Sequence, residues 1–410
     1  MAIDFTLSED QRALKATARD FAETELAIAK EAVRESHNHG SPYEYVRETV
    51  EAGADEGFMT LLVDQEYGGE GRGLLDLTIV MEELAAVDLG LTVTYFNNTA
   101  TATEIIAAGA TETQKERLFD EITALDAPLL TGARNEPNVA GSDFFCPYPD
   151  PEIGIETTAK RDGDEYVLNG EKVQFCANAG IAEYYFIVAR TDMERPMQES
   201  LSIFVVPDGA EGMTTGERTD LLGWDASHNA SIQLDEVRVP ADNLIGEEEG
   251  AAGAFLPRAL PYITTGFAAC YVGLARSAYE LAKEYANERV SWGEPIVNHQ
   301  AVTLKLADMY VDLQTARLLV WNAATAVDEG DPSGGVLAPA AKTHALDVAI
   351  QNAEKAVKIM GGYGVTEESA AAELLRDAWT GFPVDGTRDM MRLGLFRQLQ
   401  QQAEEGESDD

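Results

Sequence analysis

The run Thr157-Thr158-Ala159-Lys160-Arg161-Asp162-Gly163-Asp164-Glu165-Tyr166-Val167-Leu168-Asn169-Gly170 marks the point where a helical chain turns to β-structure. Its short apolar stretches flank Asp162-Gly163-Asp164, which reads as a hairpin turn. Asn169-Gly170 is the strongest hairpin-turn dipeptide in the chain, because both central positions of a type I′ turn need positive φ. Downstream, residues 183–190 and 201–206 read as buried strands, and 231–234 with 237–239 close the region before Pro240. The pattern predicts a compact β domain over residues 129–244, as a barrel or a sandwich.

Outward from this centre the period changes from two to about 3.6. Toward the N-terminus, Ser8 and Gln11 have capping-box spacing, and Leu14, Ala18, Phe21, Ala22 and Leu26 follow at helical intervals. Helices are expected over 43–56, 74–87, 92–108 and 113–123, with the glycine turn Tyr67-Gly68-Gly69-Glu70-Gly71 between two of them. Toward the C-terminus, 262–289, 298–328 and 339–360 predict long helices of an up-and-down bundle, followed by 367–378 and 387–403. The fold class is therefore α+β multidomain: a helical domain (1–128), the β domain (129–244), a helical bundle (245–403) and an acidic, disordered tail (404–410). No strand leads into a G-x-G-x-x-G, so a Rossmann dinucleotide site is not expected.

Charge narrows the function. Acidic residues outnumber basic ones 72 to 30, a net charge of −42, which excludes proteins that bind nucleic-acid phosphates. Ten of the basic residues are lysine, and 45% of the chain is hydrophobic, too much for disorder. Self-repulsion of this size is screened at about 1 M salt, where the Debye length is about 3 Å, so a salt-rich, halophilic cytoplasm is expected, the alternative being an ordinary acidic enzyme. Neither a secretory leader nor a membrane span is legible. Cys146, Cys176 and Cys270 read as reduced thiols, and His37 and His39 as part of a polar loop, so no metal site is expected.

Four segments mix glycine, charge and aromatic residues beyond the needs of a core. Asn135-Glu136-Pro137-Asn138-Val139-Ala140-Gly141-Ser142-Asp143 allows close backbone approach to a ligand or is a plain connection. Lys172-Val173-Gln174-Phe175-Cys176-Ala177-Asn178-Ala179-Gly180 is a strand ending in a polar turn. Within Arg289-Val290-Ser291-Trp292-Gly293-Glu294-Pro295-Ile296-Val297-Asn298-His299-Gln300, Arg289 suits either a pyrophosphate or the C-terminal dipole of its helix. Lys358-Ile359-Met360-Gly361-Gly362-Tyr363-Gly364 offers a helix C-cap or a phosphate approach, and Asp385 reads as a helix N-cap.

Taken in order, these segments resemble the acyl-CoA dehydrogenase family over nearly the whole chain. RVSWGEPIVNHQ followed by Ala307-Asp308-Met309, Met360-Gly361-Gly362-Tyr363-Gly364 and VPADNLIGEEEG carry most of the resemblance, and Tyr67-Gly68-Gly69 and Glu82-Glu83-Leu84 also fit. The resemblance implies FAD, a tetramer built as a dimer of dimers, and electrons passed to an electron-transfer flavoprotein. It places Asn135 at the flavin pyrimidine edge, Ser142 at the FAD phosphates or the pantetheine, and Phe175 on the isoalloxazine. Ala177 falls beside the flavin N5/O4 edge, and Arg289, Trp292 and Gln300 reach the FAD of a neighbouring subunit. Gly361, Gly362 and Lys358 then belong to the pyrophosphate region, and Thr387 to the cofactor set.

Asp385 falls at the family's catalytic glutamate, directly before Gly386-Thr387. A weakly acidic thioester α-proton needs a desolvated base and a polarised carbonyl, and Phe382, Pro383 and Val384 supply apolar walls. Val384, Gly386 and Ser142 are expected around the substrate. Phe96, on the 92–108 helix, is expected to plug the acyl pocket, with Thr92 and Asn97 adding polarity, which favours a short, branched or cyclic acyl group. The chain departs from the family at several points. Aspartate is one methylene shorter than glutamate, Ile263-Thr264 holds no alternative carboxylate, and the arginine common nearby is missing. Ala177 replaces a threonine, while Lys358 and Asp389 stand where glutamines are common. The rival readings are a flavin oxidase or monooxygenase on the same fold, and a non-catalytic CoA- or FAD-binding subunit.

Overall fold

A computed structural model describes residues 6–36, 43–139, 143–144, 146 and 148–408; for 43–45, 174 and 401–408 it describes the backbone alone. The first segment is helical: α1 (Glu9–Phe21), a π turn (Ala22–Leu26), α2 (Ala27–Glu35), α3 (Tyr43–Asp55), α4 (Leu74–Ala85), α5 (Leu89–Phe96), a second π turn (Asn97–Ala102), α6 (Thr103–Gly109) and α7 (Glu112–Thr123). The Ser8–Gln11 capping box forms, satisfying backbone donors at the start of α1.

The β domain is one mixed seven-stranded sheet. In one half, β4 (Tyr184–Arg190) lies between parallel β1 (Leu130–Ala133) and antiparallel β5 (Leu201–Pro207), which the one-turn helix α8 (Met197–Ser200) leads into. In the other, β2 (Thr158–Asp162), β3 (Glu165–Ala177), β7 (Asn229–Pro240) and β6 (Met213–Thr215) pair in that order. The halves meet at the single pair Thr158–Arg190. β4 reads as a continuous apolar run because both its faces are buried. Tyr185, Ile187 and Ala189 join the main core, whereas Phe186 and Val188 join a second one with Ile105, Phe119 and Ile203.

The Asp162-Gly163-Asp164 turn forms as expected, but Asn169-Gly170 does not turn the chain. It is a bulge inside β3, where pairing to β7 shifts register between Leu168 and Gly170. Gly170 has φ 154°, and a Cβ there would lie 2.4 Å from Thr157 Oγ1, so the glycine serves close strand approach. The Asn169 Oδ1 accepts the Glu236 N–H, also within this irregularity.

The third segment comprises α9 (Ala252–Glu288), a β8–β9 hairpin (Val290–Ser291 and Glu294–Pro295), α10 (Gln300–Asp328), α11 (Gly334–Met360), α12 (Ala370–Thr380) and α13 (Arg388–Ser408). α9 begins ten residues before the expected 262, running through Pro257 and Pro261, because Phe255, Ala259 and Ile263 are buried along one side and hold it. α13 extends through Ser408, into the stretch read as the start of an acidic tail.

Charge stitches the two helical segments together. Glu82 and Glu83 on α4 are buried, and each receives a paired arginine fork: Arg317 on α10 reaches Glu82 at 2.8 and 2.9 Å, and Arg19 on α1 reaches Glu83 at 2.9 and 3.2 Å. Arg276 on α9 adds a 2.7 Å bond to Glu83, and Lys15 one of 3.1 Å. Burial alone would raise the Glu83 carboxyl, but Arg19, Arg276 and Lys15 outweigh it and hold it below the ordinary range. α4 and α9 touch closely here: a Cβ on Gly273 would lie 2.5 Å from the Glu82 carbonyl oxygen.

Candidate active site

A cavity of about 820 Å³ opens where the three segments meet. β1 and the residues after it supply Gly132 to Asn135, and β3 supplies Phe175, Cys176 and Ala177. The second π turn supplies Asn97 and Thr101, and α9 supplies Leu260, Ile263, Thr264 and Phe267. The loop between α12 and α13 closes it with Val384, Asp385, Gly386 and Thr387. Single π turns inside helices recur at functional sites, and this one turns polar Asn97 and Thr101 toward the chamber.

Asp385 has a left-handed backbone, φ 47°, uncommon for a side-chain-bearing residue. Lys342 holds it there. This buried lysine on α11 donates to the carbonyls of Val384 and Asp385, both at 2.6 Å, and to that of Gly386 at 3.4 Å. Burial pushes the Lys342 ammonium down to about 8, with Asp385 opposing the fall and Arg134 adding to it. The Asp385 N–H has no acceptor among the described residues. Its carboxylate bonds through Oδ1 to Arg134 Nη2 at 2.6 Å.

The segment after β1 is pinned from behind. Glu136 pairs with Lys172 at 2.8 Å, both buried, and accepts from Glu156 N, Thr157 N and Thr157 Oγ1. Burial would raise Glu136, but Lys172 outweighs it and keeps the carboxyl low. The Asn135 carbonyl accepts the Val173 N–H at 3.0 Å, while its side-chain Oδ1 is buried without a partner. Phe175 is 58% exposed on the chamber side of β3. Behind it Cys176 is buried, its thiol pushed up to about 12, so it is no nucleophile at neutral pH.

Of the residues singled out in the sequence, Asn135, Phe175, Ala177, Val384, Asp385, Gly386 and Thr387 line this one chamber. Ser142, His37 and His39 lie outside the described residues. Phe96 does not line the cavity. It is fully buried behind Phe267, ring centroids 4.2 Å apart, and Phe267, not Phe96, takes the chamber position. Thr92 is likewise buried, its hydroxyl returned to the Asp88 carbonyl.

Arg289, Trp292, Gln300, Lys358, Gly361 and Gly362 form no part of the chamber of their own chain. They lie around the β8–β9 hairpin and the end of α11, which Tyr285 joins by stacking on Tyr363 (6.4 Å) and donating to the Met360 carbonyl (3.5 Å). Trp292 is 94% exposed, and nothing lies within 4 Å of a Cβ built on Gly361 or Gly362. Lys358 pairs with Glu354 and Asp389 with Arg388, both on the surface.

Sequence reasoning missed Arg134, Lys342 and Trp224. Arg134 is the one cation after the apolar run Leu129-Leu130-Thr131-Gly132-Ala133, and Lys342 shares a helical face with Ala338, Ala341 and Ala345. Both placements were readable as charges on buried faces. Trp224, at φ 60°, lines the chamber because buried Asp377 on α12 accepts its N–H at 2.7 Å, and no local pattern marks that pairing. Among the described residues no helix is long and apolar enough to cross a membrane, and no group of three or more metal-ligating side chains could hold a metal ion.

Family models describe the N-terminal, middle and C-terminal domains of acyl-CoA dehydrogenases, and they match residues 8–126, 136–237 and 259–400. The chain belongs to the acyl-CoA dehydrogenase family. It is 33% identical to the short-chain-specific acyl-CoA dehydrogenase of Megasphaera elsdenii, over 95% of this chain and 98% of that one. It is 31% identical to the cyclohex-1-ene-1-carbonyl-CoA dehydrogenase of Syntrophus aciditrophicus (strain SB), over 96% and 90%. The solved butyryl-CoA dehydrogenase of Megasphaera elsdenii superimposes with a TM-score of 0.87 at 30% identity, over 97% of this chain and all of that one. This acyl-CoA dehydrogenase family member is thus an oxidoreductase acting on an acyl-CoA.

Proposed function

We propose that the chain forms a double bond between C2 and C3 of an acyl-CoA thioester, with Asp385 as the base. One observation carries this reading: a carboxylate in a strained, clamped loop shares a chamber with exposed Phe175 and the unpartnered Asn135 Oδ1. FAD is the cofactor. The residues present fit it: Phe175 offers an aromatic face, Asn135 a buried polar atom for the pyrimidine edge, and Thr387 a hydroxyl at the chamber wall. Bound there, FAD supplies the acceptor for the β-hydride.

The chain's own work is proton removal and orientation. The thioester carbonyl accepts from the free Asp385 N–H, which acidifies the α-carbon, and the Asp385 carboxylate takes the proton. Phe267, backed by Phe96 and stacked 6.3 Å from Trp224, walls the chamber beneath and favours a short, branched or cyclic acyl group. Gly386 and Val384 flank the thioester. Arg289, Trp292, Gln300, Gly361, Gly362 and Lys358 serve the FAD of a neighbouring subunit, which requires an oligomer, here a dimer of dimers. The electrons leave to an electron-transfer flavoprotein, in the cytoplasm.

Anaerobic mixing of the yellow protein with a panel of acyl-CoAs tests the reading. Short or compact thioesters should bleach the flavin, and Asp385→Asn should slow bleaching by about 10²–10⁴-fold. Bleaching by the Asn variant at the wild-type rate would remove Asp385 from the role.

A further inference from the structure

The base stands beside a cation that a proton acceptor does not need for its charge. Arg134 Nη2 bonds Asp385 Oδ1 at 2.6 Å and leaves Oδ2 without a hydrogen-bond partner among the described residues. The guanidinium lies over the Phe144 ring, 5.5 Å from its centre, so its plane is fixed by a second contact. Its backbone is fixed as well, since buried Lys172 donates to the Arg134 carbonyl at 3.4 Å. On the far side, Lys342 grips the carbonyls of the loop that carries the carboxylate.

Resting on the reading of Asp385 as base, we propose that Arg134 is a positioning residue that holds the short carboxylate by one oxygen and presents the other to the substrate α-carbon. An aspartate hangs from its backbone by a single methylene, so its direction follows the loop unless a partner fixes the head group. Lys342 fixes the loop and Arg134 the head group, and together they replace the reach that a longer acid would have. In the step so arranged, the α C–H bond breaks and an O–H bond forms at Oδ2. The released electron pair forms the C2–C3 double bond as the β-hydrogen departs with its own pair, for which bound FAD would be the acceptor. Arg134 exchanges no proton.

Stopped-flow bleaching of the FAD-loaded protein tests this, using the fastest acyl-CoA of the panel with and without α-deuterium. Arg134→Leu should lower the limiting rate by about 10²-fold, as expected for a reacting group displaced by about 1 Å. The thioester concentration at half-maximal rate should stay within about threefold, and the α-deuterium effect should grow as proton removal becomes limiting. Arg134→Lys, which keeps a donor and a charge, should recover part of the rate. The proposal is overturned by a Leu variant with the wild-type limiting rate, by a loss confined to the half-saturating concentration, or by a Lys variant as slow as Leu. Asp385→Asn run alongside keeps the two readings apart: a fast Asn variant removes the base itself, whereas a dead Asn variant beside an unaffected Leu variant removes only the role of Arg134.

Discussion

Asp385 keeps its left-handed conformation only because Lys342 donates to the carbonyls on either side of the strained bond. Replacing Lys342 with Met, of similar volume, leaves those buried acceptors without a donor, at about 1–3 kcal/mol each. Urea unfolding should therefore show a markedly less stable Lys342→Met protein, and its flavin should bleach more slowly even where it stays folded. A Met variant as stable and as fast as wild type would refute the clamp. At this scale the sequence marked residues of the chamber but not their supports. Asp385, Phe175 and Asn135 were legible because their types and order match a family pattern. Phe96 was misplaced because the resemblance carries over a helix but not what stands in front of it. Arg134 and Lys342 escaped notice because each acts on a residue far along the chain, 251 and 43 positions away respectively.

Secondary elements were legible wherever one period ran unbroken. The capping box at Ser8, the Asp162–Asp164 turn and the three long C-terminal helices follow from local chemistry. Asn169-Gly170 did not, because its glycine answers to Thr157 across the sheet rather than to a turn. The contact between α12 and the loop bearing Trp224 is equally non-local, and it titrates. Burial first, and repulsion from Asp88 second, push the Asp377 carboxyl up to about 8. Unfolded, it would release its proton near pH 4. Between these values the folded state binds more protons than the unfolded one, so this group's contribution to stability falls as pH rises from about 4 to about 8. Asn keeps an oxygen for the Trp224 N–H and does not titrate. Asp377→Asn should thus gain in melting temperature over wild type as pH goes from 5 to 8, whereas a pH-independent difference would contradict the assignment.

For the molecule as a whole, the net charge of −42 is the dominant long-range force. Molar salt removes repulsion between exposed carboxylates but leaves the buried Glu82 and Glu83 pairs nearly untouched, because screening acts through solvent. Melting temperature should therefore climb steadily with KCl into the molar range. Indifference to salt would remove the halophilic reading. The three-part plan was legible from the switch of period alone. The meeting of all three parts around one chamber was not, since no single stretch records where distant stretches touch. The 37-residue α9 bears further on this. At about 1.5 Å per residue it is a rod some 55 Å long, with chamber residues in its first half, Arg276 about two-thirds along and Arg289 just past its end. Its angular phase is shared by all three, so a single inserted residue after Arg276 would turn everything beyond by about 100°. Evolution can vary the loops around this axle freely, but it can lengthen the axle only by whole turns.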